Sequence, residues 1–502
     1  MLASMDTPSE DRSSLQPSFT DPDTEWTDSQ YPGTPPYVSD SQKTTPIAPT
    51  VAEIIQLTRQ LLTTVSKTDP IRECGRAALS LLPSDPGMCQ ELAYQKLHDV
   101  PYREVKTCWR RLYTDAMLWK VVELVDCREG IQDIEEMRTQ GRMEDWLDEM
   151  VKMLDMALIL TGAPEREEVI ELWFSALKAV VPSGSTEIKD CDNTDRPTKR
   201  RRVSPSDAII ALPQSFPAIL LIPAPTLEYP IPRAKEPSMS NFQSKISDIS
   251  QYTPLIIEGA LGHWPALDER PWSDPSYLLE QTLGGRRLVP IEVGKSYTDD
   301  GWGQKIITFK QFMETYMLEK KSESSVEDVP QKGYLAQHDL FAQVPSLRAD
   351  ISIPDYCYCS PAPSPHLTHI KATAKLEEPL LNAWFGPAGT VSPLHTDPYH
   401  NILAQAVGYK YVRLYAPKET PHLYPRCVDE NGVDMSNTSQ VDLDEAQRAN
   451  GDQDFYERFP TFHKAPYMEG ILAPGECLYI PVGWWHYIRS LTPSFSVSFW
   501  FN

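Results

Sequence analysis

From about Ile209 onward the chain is written as short β-rich runs, LIIEGAL, RRLVPIEV, ILAQAV, YKYVRLYA, ECLYIP and SFSVSFWF, cut apart by Pro, Gly and Asp. A run of this length cannot bury its apolar face alone. So many of them, separated by turn residues, argue for a barrel or a two-sheet jelly roll. SFSVSFWF alternates strictly, with Ser494, Ser496 and Ser498 on one face and Phe495, Val497 and Phe499 on the other, which predicts a half-buried strand. Residues 401–407 and 410–415 are expected to pair as an antiparallel hairpin about Gly408 and Tyr409. No internal repeat is visible.

Upstream, the apolar period becomes helical. Ile54, Ile55, Leu57, Leu61, Leu62 and Val65 recur at three- and four-residue spacing, as do Val105, Cys108, Trp109, Leu112 and Met117, and then Trp146, Met150, Met153, Leu154 and Leu158. Pro164 with Glu165, Glu167 and Glu168 reads as the first turn of a further helix, whose apolar face continues through Val169, Leu172, Trp173 and Leu177. These stripes are read as the core of an all-α domain rather than as a partner groove. The expected organisation is a disordered acidic tail over 1–48, a helical domain over 49–182, a linker over 183–208 and a β-rich domain over 209–502. The 46 prolines then belong mainly to linkers and loops. Within the linker, PTKRRRVSP sets Lys199, Arg200, Arg201 and Arg202 side by side and resembles a monopartite nuclear import signal, although a solvated charge cluster has the same composition. Phosphorylation of Ser204, before Pro205, would weaken that patch. A nuclear location follows as the expectation, compatible with some cytoplasmic presence.

Lys and Arg number 47 against 70 Asp and Glu, a formal charge of −23, so a chain that bound nucleic acid through its net field would need the opposite sign. The same sign suits a cationic substrate, though it also serves solubility. None of the nine Cys forms a CxxC, and the nearest pair, Cys357 and Cys359, are two apart, which reads as reduced thiols inside the cell. The N-terminus is polar and acidic and no run of eighteen apolar residues occurs, so neither a secretory signal nor a membrane span is expected.

The sharpest chemical feature is PLHTD. On an extended strand His395 and Asp397 project to one face, so an imidazole and a carboxylate converge. His486, in PVGWWHY after the strand CLYIP, supplies a third candidate. Two His and one carboxylate on barrel strands make the facial set of non-haem Fe(II) oxygenases, which leaves coordination positions open. Spacing alone equally allows His395 to cap a turn and His486 to sit satisfied in the core. Other features lead away from metal chemistry. His400 reads as a loop residue because Pro398 breaks the strand, and His366 and His369 form HxxH in a Pro- and Ser-rich stretch where no helix is expected. Gly284 and Gly285 mark a turn. Segment 418–468, with its acidic DLDEAQ and DQDFYERF, reads as an insertion between strands that could carry substrate contacts.

The stretch NAWFGPAGTVSPLHTDPYHNILAQAVGYKYVRLYAP, followed by APGECLYIPVGWWHYIRS and SFSVSFWFN, resembles the JmjC family of 2-oxoglutarate dioxygenases over nearly all of residues 220–502, and GYLAQHDLF and ISIPDYC narrow the likeness to one subfamily. The resemblance implies a double-stranded β-helix, and hence an α+β multidomain chain with an N-terminal all-α domain. It implies that His395, Asp397 and His486 hold Fe(II), and that Lys410 pairs with the distal carboxylate of 2-oxoglutarate. Tyr334, Ser392 and Asn401 would hydrogen-bond this cosubstrate, Trp384 would line its pocket, and Glu292 and Tyr297 would lie near a substrate guanidinium. The chemistry agrees, since a dianion needs a metal at one end and a buried cation with donors at the other. The expected function is hydroxylation of an arginine side chain in a nuclear protein, with 2-oxoglutarate and O2 as cosubstrates. The alternative is demethylation of histone methyl-lysine. A non-catalytic chromatin scaffold whose helical half binds a protein partner comes third, because every ligand position and Lys410 are present. No nucleic-acid or membrane partner is expected.

Overall fold

The computed structural model describes residues 49–126, 142–180, 212–219, 225–298, 301–318, 331–363, 370, 373–428, 434–448 and 453–502. The expected tail, the linker with its basic cluster, and His366 and His369 lie outside these residues.

The helical part runs α1 (Val51–Thr63), α2 (Arg76–Leu81), α3 (Pro86–His98), α4 (Thr107–Asp126), α5 (Arg142–Thr161) and α6 (Glu167–Val180). Thr50 and Glu53 cap α1 reciprocally, and Asp85 with Pro86 opens α3. The predicted stripes meet in one core, in which α4 is buried on most of its circumference. Inside it Arg111 is fully buried between Asp69 and Asp115, and Asp115 also binds Arg166 at 3.1 Å. Pro164 does not open α6, as the sequence suggested. The backbone is left-handed at Gly162, Ala163 and Glu165, so the chain turns tightly after α5 and the helix starts only at Glu167.

The strands are β1 (Arg233–Lys235), β2 (Leu255–Glu258), β3 (Leu288–Val293), β4 (Gly303–Thr308), β5 (Gly333–His338), β6 (Leu380–Gly386), β7 (Val391–His395), β8 (His400–Val407), β9 (Lys410–Tyr415), β10 (Tyr467–Leu472), β11 (Cys477–Ile480), β12 (Trp485–Ser490) and β13 (Ser494–Phe501). Among the described residues they make a nine-stranded sheet, β1-β2-β11-β8-β13-β6-β5-β3-β4, and a four-stranded sheet, β10-β9-β12-β7. Apart from the parallel pair β1 and β2, neighbours run antiparallel. This is the expected jelly roll behind a helical region.

Two expectations about strands need correction. Residues 401–407 and 410–415 do not form a hairpin, because β8 pairs with β11 and β13 while β9 pairs with β10 and β12 in the other sheet. The chain crosses between sheets at Gly408, which has φ +72°, and a Cβ there would fall 2.0 Å from the Pro493 carbonyl oxygen. Strand β13 is not half-buried either. It lies between β6 and β8, with Phe495, Val497 and Phe499 in an outer aromatic core and all three serines buried on the inner face. There Ser496 donates to Gln405 Oε1 at 2.6 Å, and the Trp384 indole donates to Ser498 Oγ at 2.9 Å. Two-sided burial, with the hydroxyl of each serine paired, explains the alternation as well as a solvent face would.

Val412, Leu414 and Ile488 face inward and pack on Leu403, Leu478 and Ile480 of the larger sheet. The opposite face of the small sheet presents Tyr411, Tyr415, Trp485 and Tyr487. It is covered by the expected insertion through Leu423, Leu443, Phe455, Phe459 and Phe462, partly carried on two short helices, Leu443–Arg448 and Gln453–Arg458.

Candidate functional site

Register places the candidate residues between the two sheets. His486 on β12 lies directly opposite His395 on β7, and their ring centroids are 4.2 Å apart. Asp397 is not on the strand with His395, contrary to the period-two argument. Strand β7 ends at His395, and the next residue's amide bonds the Asn437 carbonyl of the covering segment, so Asp397 arrives from the turn. Its carboxylate lies 3.4 Å from His486 Nε2 and 3.9 Å from His395 Nε2, and one ligand atom from each residue falls within 4.8 Å of the others.

Each imidazole is fixed from behind. His395 Nδ1 is 2.7 Å from the Pro393 carbonyl and His486 Nδ1 is 3.0 Å from the Trp484 carbonyl. Donation there would leave both Nε2 atoms free to bind a metal alongside Asp397. Burial and the neighbouring His486 push His395 down to about 4, so it is neutral at ordinary pH. Burial works to raise Asp397, yet His486 and His395 together hold it below the usual carboxylate value. Two imidazoles held by carbonyls at Nδ1, beside a carboxylate, make a donor set that fits a divalent transition metal.

A bulge in the β7–β12 pairing moves the register between His486 and Ile488, so Ser392 pairs with Ile488 and shares the inner face with His395, three residues on. Lys410 pairs with Ser490, four residues along β12 from His486, or roughly 13 Å at about 3.3 Å per residue. That span leaves room for a five-carbon diacid. Lys410 is 1% exposed, donates to the Tyr334 hydroxyl at 3.3 Å and has no carboxylate partner among the described residues. Burial pushes it down to about 7. The Asn401 amide, buried on β8, has an unpartnered oxygen. A sequestered amine beside a hydroxyl fits an anionic ligand. Trp384 flanks Tyr334, with ring centroids 6.0 Å apart.

Strand β3 sets Glu292 directly opposite Tyr334 on β5. Burial pushes the Glu292 carboxyl up, with the Trp302 indole opposing. Tyr297 is 3.4 Å from Thr438 Oγ1 and is pushed up to about 12 by burial, with Asp397, Glu292 and Arg426 all within electrostatic reach. Apart from Asn401, the candidate site residues are linked by pairing or contact around this one space. His400, expected in a loop, is instead a buried β8 residue facing away from it. Its Nδ1 meets the Tyr479 hydroxyl at 2.9 Å, and burial among Tyr252, Tyr479 and Phe501 pushes it down to about 3.

Sequence reasoning missed Thr438, which forms an isolated bridge with His395, and the buried pair Thr390–Ser490 at 2.9 Å beside Lys410. Neither carries a motif. Trp302 had a weak signal, an aromatic close in sequence to Tyr297.

Residues 241–502 match the model of the cupin-like domain family. Lysine-specific demethylase 8 of Danio rerio is 36% identical over 412 residues, 82% of this chain and 86% of that protein. The Xenopus tropicalis protein of the same name is 36% identical over 457 residues, 86% of this chain and 94% of its own. Jumonji C domain-containing protein 5 of Drosophila melanogaster is 39% identical over 288 residues, 56% of this chain and 64% of that one. The likeness extends through the helical half as well as the sheets, and the chain belongs to the cupin-like JmjC family of 2-oxoglutarate-dependent oxygenases.

Proposed function

We propose that the protein oxidises a C–H bond of a cationic side chain on a protein substrate, and that the reaction is removal of a methyl group from lysine. The observation that carries this is the carboxylate of Glu292, set opposite Tyr334 on the inner face. The relatives named lysine-specific demethylases support the choice of methyl-lysine. His395, Asp397 and His486 would hold Fe(II), and Lys410, Tyr334, Ser392 and Asn401 would hold 2-oxoglutarate, with Trp384 at its side. Together the metal and cosubstrate supply O2-dependent C–H oxidation, with succinate and CO2 as by-products. The chain's own work is placement. The Nδ1–carbonyl bonds hold the imidazoles, Lys410 orients a distal carboxylate, and Val412, Leu414 and Ile488 keep the space dry. Glu292 and Tyr297 would steer the substrate cation so that an N-methyl group faces the triad. Once hydroxylated, that group leaves as formaldehyde.

Arginine hydroxylation is the second reading, favoured by the same Glu292, because a single carboxylate suits a planar guanidinium in a bidentate pair. Full-length protein with Fe(II), 2-oxoglutarate and air, offered matched methyl-lysine and arginine peptides, separates the two by mass spectrometry. Loss of a methyl with formaldehyde supports demethylation, whereas gain of one oxygen on arginine replaces it with hydroxylation. Modification of neither class, with succinate still produced, would sink both. Nuclear residence belongs to the same proposal and rests on Lys199–Arg202; a reporter carrying residues 190–210 that stays cytoplasmic would remove it.

A further inference from the structure

We propose that Arg426 binds a carboxylate of the substrate chain, an aspartate or glutamate two to four residues from the side chain being oxidised. The inference rests on the reading of the site as one that acts on a cationic protein side chain. On the covered outer side of the small sheet, next to the Pro393 carbonyl that fixes His395, lies a cleft of about 90 Å³ whose lining includes Ser296, Pro393, Arg426, Asp442, Asp444 and Tyr487. Its two acids are already engaged. Asp442 accepts from Lys295 at 2.5 Å, and Asp444 accepts from the Tyr487 hydroxyl at 2.5 Å and from Arg489 at 3.2 Å. Arg426 is different. Among the described residues its guanidinium makes one hydrogen bond, from Nε to the Ser439 carbonyl at 3.3 Å, and has no carboxylate partner, although the residue is half-buried. A partly desolvated guanidinium with its fork open is a receptor for a carboxylate.

Backbone pairing fixes how far this receptor stands from the chemistry. The Arg426 amide donates to the Thr438 carbonyl at 2.8 Å, and Thr438 in turn bridges His395. Two steps of about 4.8 Å between adjacent extended segments place Arg426 roughly 10 Å from His395, which an extended substrate covers in about three residues. Tyr297 lies within electrostatic reach of Arg426, Asp397 and Glu292. The surroundings of Tyr297 thus carry a carboxyl group, Glu292, and a guanidinium, Arg426. Such a pair selects a substrate by charge order, attracting one arrangement and repelling its reverse.

The test is equilibrium binding, without turnover, to the full chain loaded with Mn(II) and 2-oxoglutarate. The probes are labelled short peptides with a central arginine or dimethyl-lysine and either aspartate or asparagine two to four positions away. Aspartate is expected to tighten binding about tenfold or more, as a charge-assisted pair does. Arg426→Gln should erase that difference, Arg426→Lys should retain part of it, and Arg426→Glu should turn the preference toward asparagine. Unchanged thermal midpoints would exclude misfolding as the cause. Equal binding of aspartate and asparagine peptides to the wild type, or an aspartate preference that survives Arg426→Gln, overturns the proposal. Binding is scored apart from oxidation, so an intact preference with no oxidised peptide supports the Arg426 assignment while removing the functional reading on which it was built.

Discussion

Asp155 of α5 and Arg287, just before β3, form an ion pair of 2.7 Å with essentially no exposure of either side chain. Asp155 also accepts from the Leu288 amide and from Gln343 Nε2, each at 2.7 Å, and the Arg287 guanidinium lies 3.5 Å from the ring centroid of Phe174 on α6. The helical region therefore seats the strand that carries Glu292. Asp155→Ala should cost about 3–5 kcal/mol, because it strands a buried guanidinium. Urea unfolding of the full chain measures this, and a loss below about 1 kcal/mol would show that water or another acceptor replaces the carboxylate.

Lys410 gives the cosubstrate site a pH signature. A bound dianion favours the ammonium, so 2-oxoglutarate affinity should be flat below about pH 7 and fall above it by at most about tenfold per unit, with a proton taken up on binding. Calorimetry in buffers of different ionisation enthalpy reads both effects. The sign for folding runs the other way. With the folded value at about 7 and the unfolded value near 10.4, the unfolded chain binds more protons between them, so this group adds stability to the ligand-free protein as pH rises through that window. Lys410→Met should abolish the proton uptake and weaken 2-oxoglutarate by about a hundredfold.

Divalent metal should raise the thermal midpoint, by the equivalent of about 2.7 kcal/mol when the free ion is a hundred times its dissociation constant. A chelator should reverse the shift, and His486→Ala should remove it. A variant that kept the full shift would place the ion somewhere other than at His395, Asp397 and His486.

Gly408→Ala tests the crossing between sheets. Its φ of +72° and the 2.0 Å approach to the Pro493 oxygen leave an alanine no unstrained position, so destabilisation of at least about 1–3 kcal/mol is expected in a thermal melt.

The legible parts of this site were those in which chemistry and chain order coincide. His395, Asp397 and His486 could be nominated together because two His and a carboxylate beside strand-like runs match a facial metal set, although the same spacing also fitted a turn cap and a core histidine. Lys410 carries no such mark, since a strand lysine is ordinary until the partner sheet buries it; only its likeness to a known family picked it out. The sequence could not show that Ser392 and His395 share a face, because the bulge that brings them together is a property of the pairing with β12. The misread hairpin has the same origin. Gly408 and Tyr409 look like a two-residue turn, and whether the chain doubles back or crosses to another sheet depends on the partners β10 to β13, far along the chain. His400 was misplaced because Pro398 suggested a longer interruption than the one that occurs.

The position of β13 bears on how the protein is made. Synthesis delivers β6 and β8 well before β13, yet both pair with it. Until Ser494–Phe501 leaves the ribosome, the nascent chain holds a split sheet with two unsatisfied edges and an aromatic layer without Phe495 and Phe499 to complete it. Closure of the large sheet is thus a late event rather than a progressive one. A product stopped a few residues short of Ser494 would contain every metal-binding side chain and still lack the strand that joins the two parts of the sheet, making it a substrate for chaperones and proteases instead of an oxygenase.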